Sequence, residues 1–251
     1  MTPTGNKPRK KVWKGRTIAI WTVLSAAIVF ILLSLISDLG ALKQAIRGFP
    51  LSLLVPIGLL SLGNYLLRYV KWHWYLELTG HRISPWPNLL VFLAGFALTV
   101  TPGKIGEFVK AFIVKERFHV PYTASTAVLL MERFTDIIAI ILLSCLGLFL
   151  SLLHASFALI SVLVLLGVVM LLRNRRFAGW VIQQSERFGP LKGFSGALRT
   201  LYENGWALLE LKVFIPSLLI SLAAWFLEGL GFAMVVWGLG APFSLLQGVF
   251  I

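Results

Sequence analysis

The sequence predicts an all-α, polytopic integral membrane helical bundle interrupted by a re-entrant helical hairpin near residues 88–118. Three observations carry this. Hydrophobic residues make up 58% of the 251-residue chain and charged residues only 13%, a balance far from that of an ordinary soluble domain. Several apolar stretches are long enough to cross a hydrocarbon layer of roughly 30 Å. Between Thr99 and Asp136 the apolar run breaks into T-V-T-P-G-K-I-G-E, and an E-R-F-T-D cluster opens at Glu132 inside the next hydrophobic span. Ionisable groups at that depth are costly and mark function.

Residues 1–16 form a basic cytoplasmic arm with Lys7, Arg9, Lys10, Lys11, Lys14 and Arg16. Residues 17–36 carry no charge and as a helix cover about 30 Å. That apolar core is too long for a cleaved signal peptide, and no small-x-small site closes it, so an uncleaved first span is expected. The second span is expected at 50–69, followed by a connection carrying Arg68, Lys71 and Arg82. Residues 88–100 are apolar but as a helix reach only about 20 Å, too short to cross. If they did cross, Lys104, Lys110, Lys115 and Arg117 would fall on the side away from the other basic loops. A hairpin that enters and leaves on one side meets both constraints. Its return arm has Ile105, Phe108, Val109, Phe112 and Ile113 at helical spacing, with Lys104, Glu107 and Lys110 between them.

Further spans are expected at 121–150, 155–172 and 213–237, with an incomplete last segment at 241–251. The intervening loop, 173–212, carries seven Lys or Arg against three Glu, with apolar residues scattered among them. Two amphipathic surface helices broken at Gly189-Pro190 are expected there, as a connector lying on anionic lipid. Residues 17–251 thus read as one membrane domain. The bias of basic residues among the loops orients the N-terminus to the cytoplasm.

The net charge of +13 sits beside the spans, where it sets topology and meets anionic headgroups, so no nucleic-acid partner is expected. The lone Cys145 rules out an intramolecular disulfide and a thiolate zinc cluster. His73, His81, His119 and His154 show no paired metal spacing, and no nucleotide loop or serine elbow is present. No metal and no cofactor are therefore expected. Trp72, Trp74, Trp86 and Trp237 are read as an interfacial aromatic belt.

Two groups of residues can carry chemistry. In T-P-G-K-I-G-E, Thr101 suits a helix N-cap and Pro102 the first helical position, while Gly103 and Gly106 allow close approach. Such a helix start, with Lys104 beside it and Glu107 following, suits an anion such as a lipid phosphate; the alternative is a plain hairpin turn with a snorkelling lysine. Glu132 and Asp136, four apart, share a helix face while Arg133 points about 100° away. Two adjacent carboxylates suit proton exchange, whereas a cation from Arg133, Lys104, Lys110 or Arg68 would make the cluster an ion-pair network tying hairpin to helix. Glu228, in W-F-L-E-G-L-G, is a further carboxylate within a span. The candidate roles are headgroup binding for Thr101, Gly103, Lys104, Gly106 and Glu107, and gating or proton coupling for Glu132, Arg133, Asp136 and Glu228.

T-P-G-K-I-G-E-F-V-K-A-F, followed by M-E-R-F-T-D and later A-W-F-L-E-G-L-G, resembles the lysylphosphatidylglycerol synthase transmembrane region, also called the flippase-like membrane family. Gly103, Gly106, Glu107, Glu132, Arg133 and Asp136 occupy the family's motif positions. The resemblance implies a multi-pass protein of a bacterial or archaeal cytoplasmic (inner) membrane that moves a phosphate-bearing or glycosylated lipid between leaflets. A membrane-embedded transferase or a biosynthesis partner acting on a lipid-linked substrate is the alternative. The partners implied are membrane lipids, anionic or lipid-linked. The family's aminoacyl-transferring domain is not among these residues, so lipid aminoacylation is not implied. Family members continue into a second Pro-Gly hairpin, whereas this chain stops at Ile251. The expectation is a shortened member, for which a homo-oligomer is one way to complete the site.

Overall fold

The computed structural model describes residues 39–97, 107–150, 155–187 and 195–240, which form nine α-helices and two short 3-10 turns with no strand among them. The expected first span at 17–36, the hairpin tip with Thr101, Gly103, Lys104 and Gly106, the Gly189-Pro190 break, His154 and the segment 241–251 lie outside the described residues.

After the short α1 (Leu39–Gly48), the 25-residue α2 (Leu54–Leu78) continues from a 3-10 turn at Leu51–Leu53, and together they are long and apolar enough to cross a membrane. The helix ends at Gly80, whose φ of 85° suits glycine. There the N–H of His81 donates to the Leu76 carbonyl and that of Gly80 to Glu77, the paired closure of a glycine C-cap. This corrects the expected end near Tyr69. Arg68 and Lys71 are not in a connection but buried within α2, because carboxylates from other helices meet them inside the bundle. Trp72 is likewise fully buried rather than part of an aromatic belt, whereas Trp86 and Trp237 are exposed.

Helices α3 (Pro85–Ala97) and α4 (Phe108–Phe118) have 13 and 11 residues, so neither can cross. Helix α3 starts beside the far part of α2, where the Tyr69 hydroxyl donates to the Pro85 carbonyl at 2.6 Å. It runs back until the Phe96 ring stands 4.8 Å from that of Tyr65. Helix α4 starts at Glu107 beside Arg133 and returns to His119, a left-handed cap just before the next helix.

That next helix, the 29-residue α5 (Tyr122–Leu150), runs antiparallel to α2, since Arg68 meets Asp136 and Lys71 meets Thr135. The start of α3 and the end of α4 therefore face the same end of the bundle, which makes the pair a re-entrant hairpin.

Helix α5 is the hub, packing on α2, α4, α6 (Ala155–Arg173), α8 (Ser195–Trp206) and α9 (Leu211–Gly238). Helix α7 (Arg175–Arg187) leaves α6 at 74°. Helix α9, also long and apolar enough to cross, lies antiparallel to α2. Gly238 abuts Phe49 and Leu53, Leu227 meets Gly63, and Ser221 meets Lys71. The polarity of the bundle is inverted relative to a soluble protein. Leu59, Leu62, Leu163, Val164 and Leu219 are exposed, while Asn64, Arg68, Lys71, Glu132 and Asp136 are buried. Among the described residues the end holding Arg82, Lys115, Arg117 and the arginines of α7 is basic, and the opposite end has Lys43 and Arg47.

Candidate functional site

From the middle of α2 onward, a polar stripe runs along a mostly apolar helix: Asn64, Arg68, Lys71 and Tyr75 follow one another at spacings that keep them on a single face. On α5, Glu132, Thr135 and Asp136 form a matching stripe, and on α9 Ser217, Ser221 and Glu228 do the same. Each stripe turns inward because a polar group left facing hydrocarbon has no water to hydrogen-bond.

The stripes close on Asp136. Its Oδ2 accepts from Arg68 at 2.8 Å, and its Oδ1 accepts from the Lys71 ammonium at 2.6 Å and the Ser221 hydroxyl at 3.0 Å. Lys71 also donates to Ser221 at 2.6 Å and to Thr135 at 3.2 Å, which uses all three of its N–H bonds. The remaining guanidinium nitrogens of Arg68 reach Asn64 at 2.7 Å and Glu228 at 3.1 Å, with the Asn64 amide donating to the same Glu228 oxygen at 3.0 Å. The indole of Trp225 lies 4.9 Å from that guanidinium, a cation–π contact. Helices α2, α5 and α9 are thereby locked by one buried knot.

A second pair ties in the hairpin. Lys110 of α4 donates to Glu132 at 3.1 Å and stands 4.5 Å from the Trp72 ring and 5.0 Å from that of Phe92. Trp72 is held by its own N–H, which donates to Asn88 of α3 at 2.9 Å. The stem of Lys110 runs over Gly95, where a Cβ would overlap its Cγ.

The third pair is more open. Arg133 meets Glu107 at 2.7 Å and Asp136 at 3.6 Å, and its Nε is buried without a hydrogen-bond partner. The Arg133 side chain is 30% exposed, against 7% or less for Arg68, Lys71 and Lys110. Glu107 makes no capping bond to α4; its carboxylate is spent on Arg133. Glu228, with a side chain 49% exposed, is the other open group.

Among the described residues the network thus holds four cations (Arg68, Lys71, Lys110, Arg133) and four carboxylates (Glu107, Glu132, Asp136, Glu228). Glu132 and Asp136 do share a face, but each has its own cation. Of the candidates named from sequence, Glu107, Glu132, Arg133, Asp136 and Glu228 join one network, and Thr101, Gly103, Lys104 and Gly106 lie outside the described residues. Asn64, Lys71, Thr135 and Ser221 were not among the candidates. For Asn64 and Lys71 the signal is the spacing of Asn64, Arg68, Lys71 and Tyr75, visible only once α2 is continued past Tyr69. Among the described residues no group of three or more His, Cys, Asp or Glu could hold a metal. A cleft of about 570 Å³ opens away from the network, between α7 and α8.

No curated protein and no solved structure matches the chain. The family model described as Lysylphosphatidylglycerol synthase TM region matches residues 22–251. Among the described residues, two helices able to cross, a re-entrant pair between them and a charged interior under an apolar exterior fit that match. The chain belongs to the lysylphosphatidylglycerol synthase TM region family and is a multi-pass membrane protein of a kind that acts on lipids.

Proposed function

We propose that the chain translocates a phosphate-bearing or glycosylated lipid between leaflets, and that the Arg133–Glu107 pair is the point at which the headgroup enters the network. One observation carries this reading: the most open cation of the network is held by a carboxylate from the residue that ends T-P-G-K-I-G-E. A guanidinium binds carboxylate and phosphate with the same fork of donors. A lipid phosphate arriving at Arg133 competes with Glu107 for that fork, and the freed Glu107 releases the start of α4. When the lipid leaves, Glu107 returns.

In this reading the headgroup also meets Thr101, Gly103, Lys104 and Gly106 on the segment preceding Glu107. Glu132 and Asp136 act as the fixed side of the gate, since Lys110 holds α4 to α5 while Arg68 and Lys71 hold α2 to α5 and α9. Glu228, the most exposed carboxylate of the network, joins the gate through its contact with Arg68. The membrane is the cytoplasmic one and the N-terminus is cytoplasmic, a reading supported by the basic end of the bundle.

The test is a leaflet-resolved assay in proteoliposomes holding the full chain, with fluorescent anionic and cationic phospholipids and a polyprenyl phosphate. Redistribution of a phosphate-bearing lipid that is chemically unchanged on recovery is the expected result. A recovered lipid with an added or missing group would replace translocation with transfer chemistry, and no movement of any lipid would reject the proposal.

A further inference from the structure

Helix α6 stops at Arg173, and the chain turns by 74° into α7. The turn is built by Asn174, whose side-chain oxygen accepts from the backbone N–H of Arg176 at 3.0 Å and of Phe177 at 3.2 Å. This is the N-cap geometry that starts a helix, so α7 is a separate helix laid across the axis of α6 rather than a frayed extension of it.

Helix α7 has three sides. Ala178 and Ser185 are buried against the protein. Arg175, Gln183 and Glu186 line the cleft toward α8. On the third side Phe177, Trp180 and Val181 are exposed, and the first two stack with ring centres 5.9 Å apart. Exposed aromatic rings beside arginines suit the boundary between headgroups and acyl chains, where the rings sit in apolar surroundings and the charges stay among phosphates. Over 173–187 there are four arginines (Arg173, Arg175, Arg176 and Arg187) against one acid, Glu186, which favours an anionic surface over a neutral one.

We infer that α7 lies in the membrane surface with Phe177, Trp180 and Val181 inserted, and that its arginines make this docking selective for anionic phospholipid. Helix α7 is joined to the rest of the bundle through α8. Arg175 stacks at 4.4 Å on Trp206 of α8, and α8 packs on α5, the helix that carries Glu132, Arg133 and Asp136.

The experiment uses the full chain with the buried Cys145 replaced (Cys145→Ala) and one new thiol, from Trp180→Cys or, as the cleft-side control, Gln183→Cys. Each is labelled with an environment-sensitive fluorophore and reconstituted in phosphatidylcholine vesicles with or without phosphatidylglycerol. The label from Trp180→Cys is expected to shift to the blue with phosphatidylglycerol and to be quenched best by nitroxides near the headgroup. It is expected to lose the shift in neutral vesicles and when Arg176→Gln and Arg187→Gln are added. The label from Gln183→Cys is expected to report water throughout. Both exchanges are at exposed positions, and native-like elution of the bundle confirms folding. Equal insertion in both lipids would overturn the anionic selectivity. A water-exposed Trp180→Cys label in both, strongest quenching at the bilayer centre, or equal insertion of the Gln183→Cys label would overturn the interfacial placement.

Discussion

Asp136 is met by Arg68, Lys71 and Arg133, so its removal strands two buried cations and loosens a third. Breaking a buried ion pair from one side costs about 3–5 kcal/mol, because the partner charge stays behind. Asp136→Asn should therefore lower the thermal midpoint in detergent sharply, and adding Lys71→Met should recover part of the loss. Strictly additive losses would mean that the two side chains do not share an interaction. Glu107→Gln makes the opposite kind of change, since it weakens a competitor at Arg133. It should tighten binding of a short-chain phosphatidic acid, measured by titration calorimetry, by roughly tenfold, the worth of one charged hydrogen bond; unchanged affinity would remove Glu107 from the gate. The candidate site was legible wherever charge interrupts an apolar run. Glu132 and Asp136 share a helix face, Glu107 closes a motif, and Lys110 and Arg68 were the available cations. Lys71, Asn64 and Ser221 were not legible as a group, because which helix faces meet is decided by packing between segments far apart in the chain.

The hairpin arms depend on a close crossing. Lys110 reaches Glu132 only by passing over Gly95, where a Cβ would overlap its stem. Gly95→Ala should push Lys110 off Glu132 and cost about 1–3 kcal/mol, the usual toll of overpacking. A wild-type thermal midpoint in that variant would contradict the crossing. At this scale length and charge alone foretold the hairpin: a 13-residue apolar arm followed by a basic return arm cannot cross without stranding lysines on the wrong side. Helix α2 runs past the expected end at Tyr69 for the reverse reason. Cations near Tyr69 read as the membrane surface, yet Arg68 and Lys71 find carboxylates within the bundle and the helix continues to Leu78. That 173–212 forms separate helices was readable from composition, but the 74° turn and the face that α7 leaves exposed depend on Asn174 capping and on contact with α8.

Over the whole molecule, the hairpin opens toward the basic end of the bundle, and the same end carries α7 and α8. If that end is cytoplasmic, a thiol introduced by Arg82→Cys in a Cys145→Ala background should escape a membrane-impermeant reagent added to intact cells. One introduced by Gly48→Cys should react, and the reverse pattern would invert the orientation. Arg133 is the proposed contact for the lipid headgroup. The direct measurement is the rate of phosphate-lipid redistribution in proteoliposomes holding wild type or Arg133→Gln, matched for folded protein by elution profile. Loss of the guanidinium fork should slow movement roughly 10- to 100-fold, the worth of about 1.5–3 kcal/mol of charged hydrogen bonding. A wild-type rate in Arg133→Gln would contradict the account, leaving the network as a structural knot that holds the helices and the lipid path elsewhere.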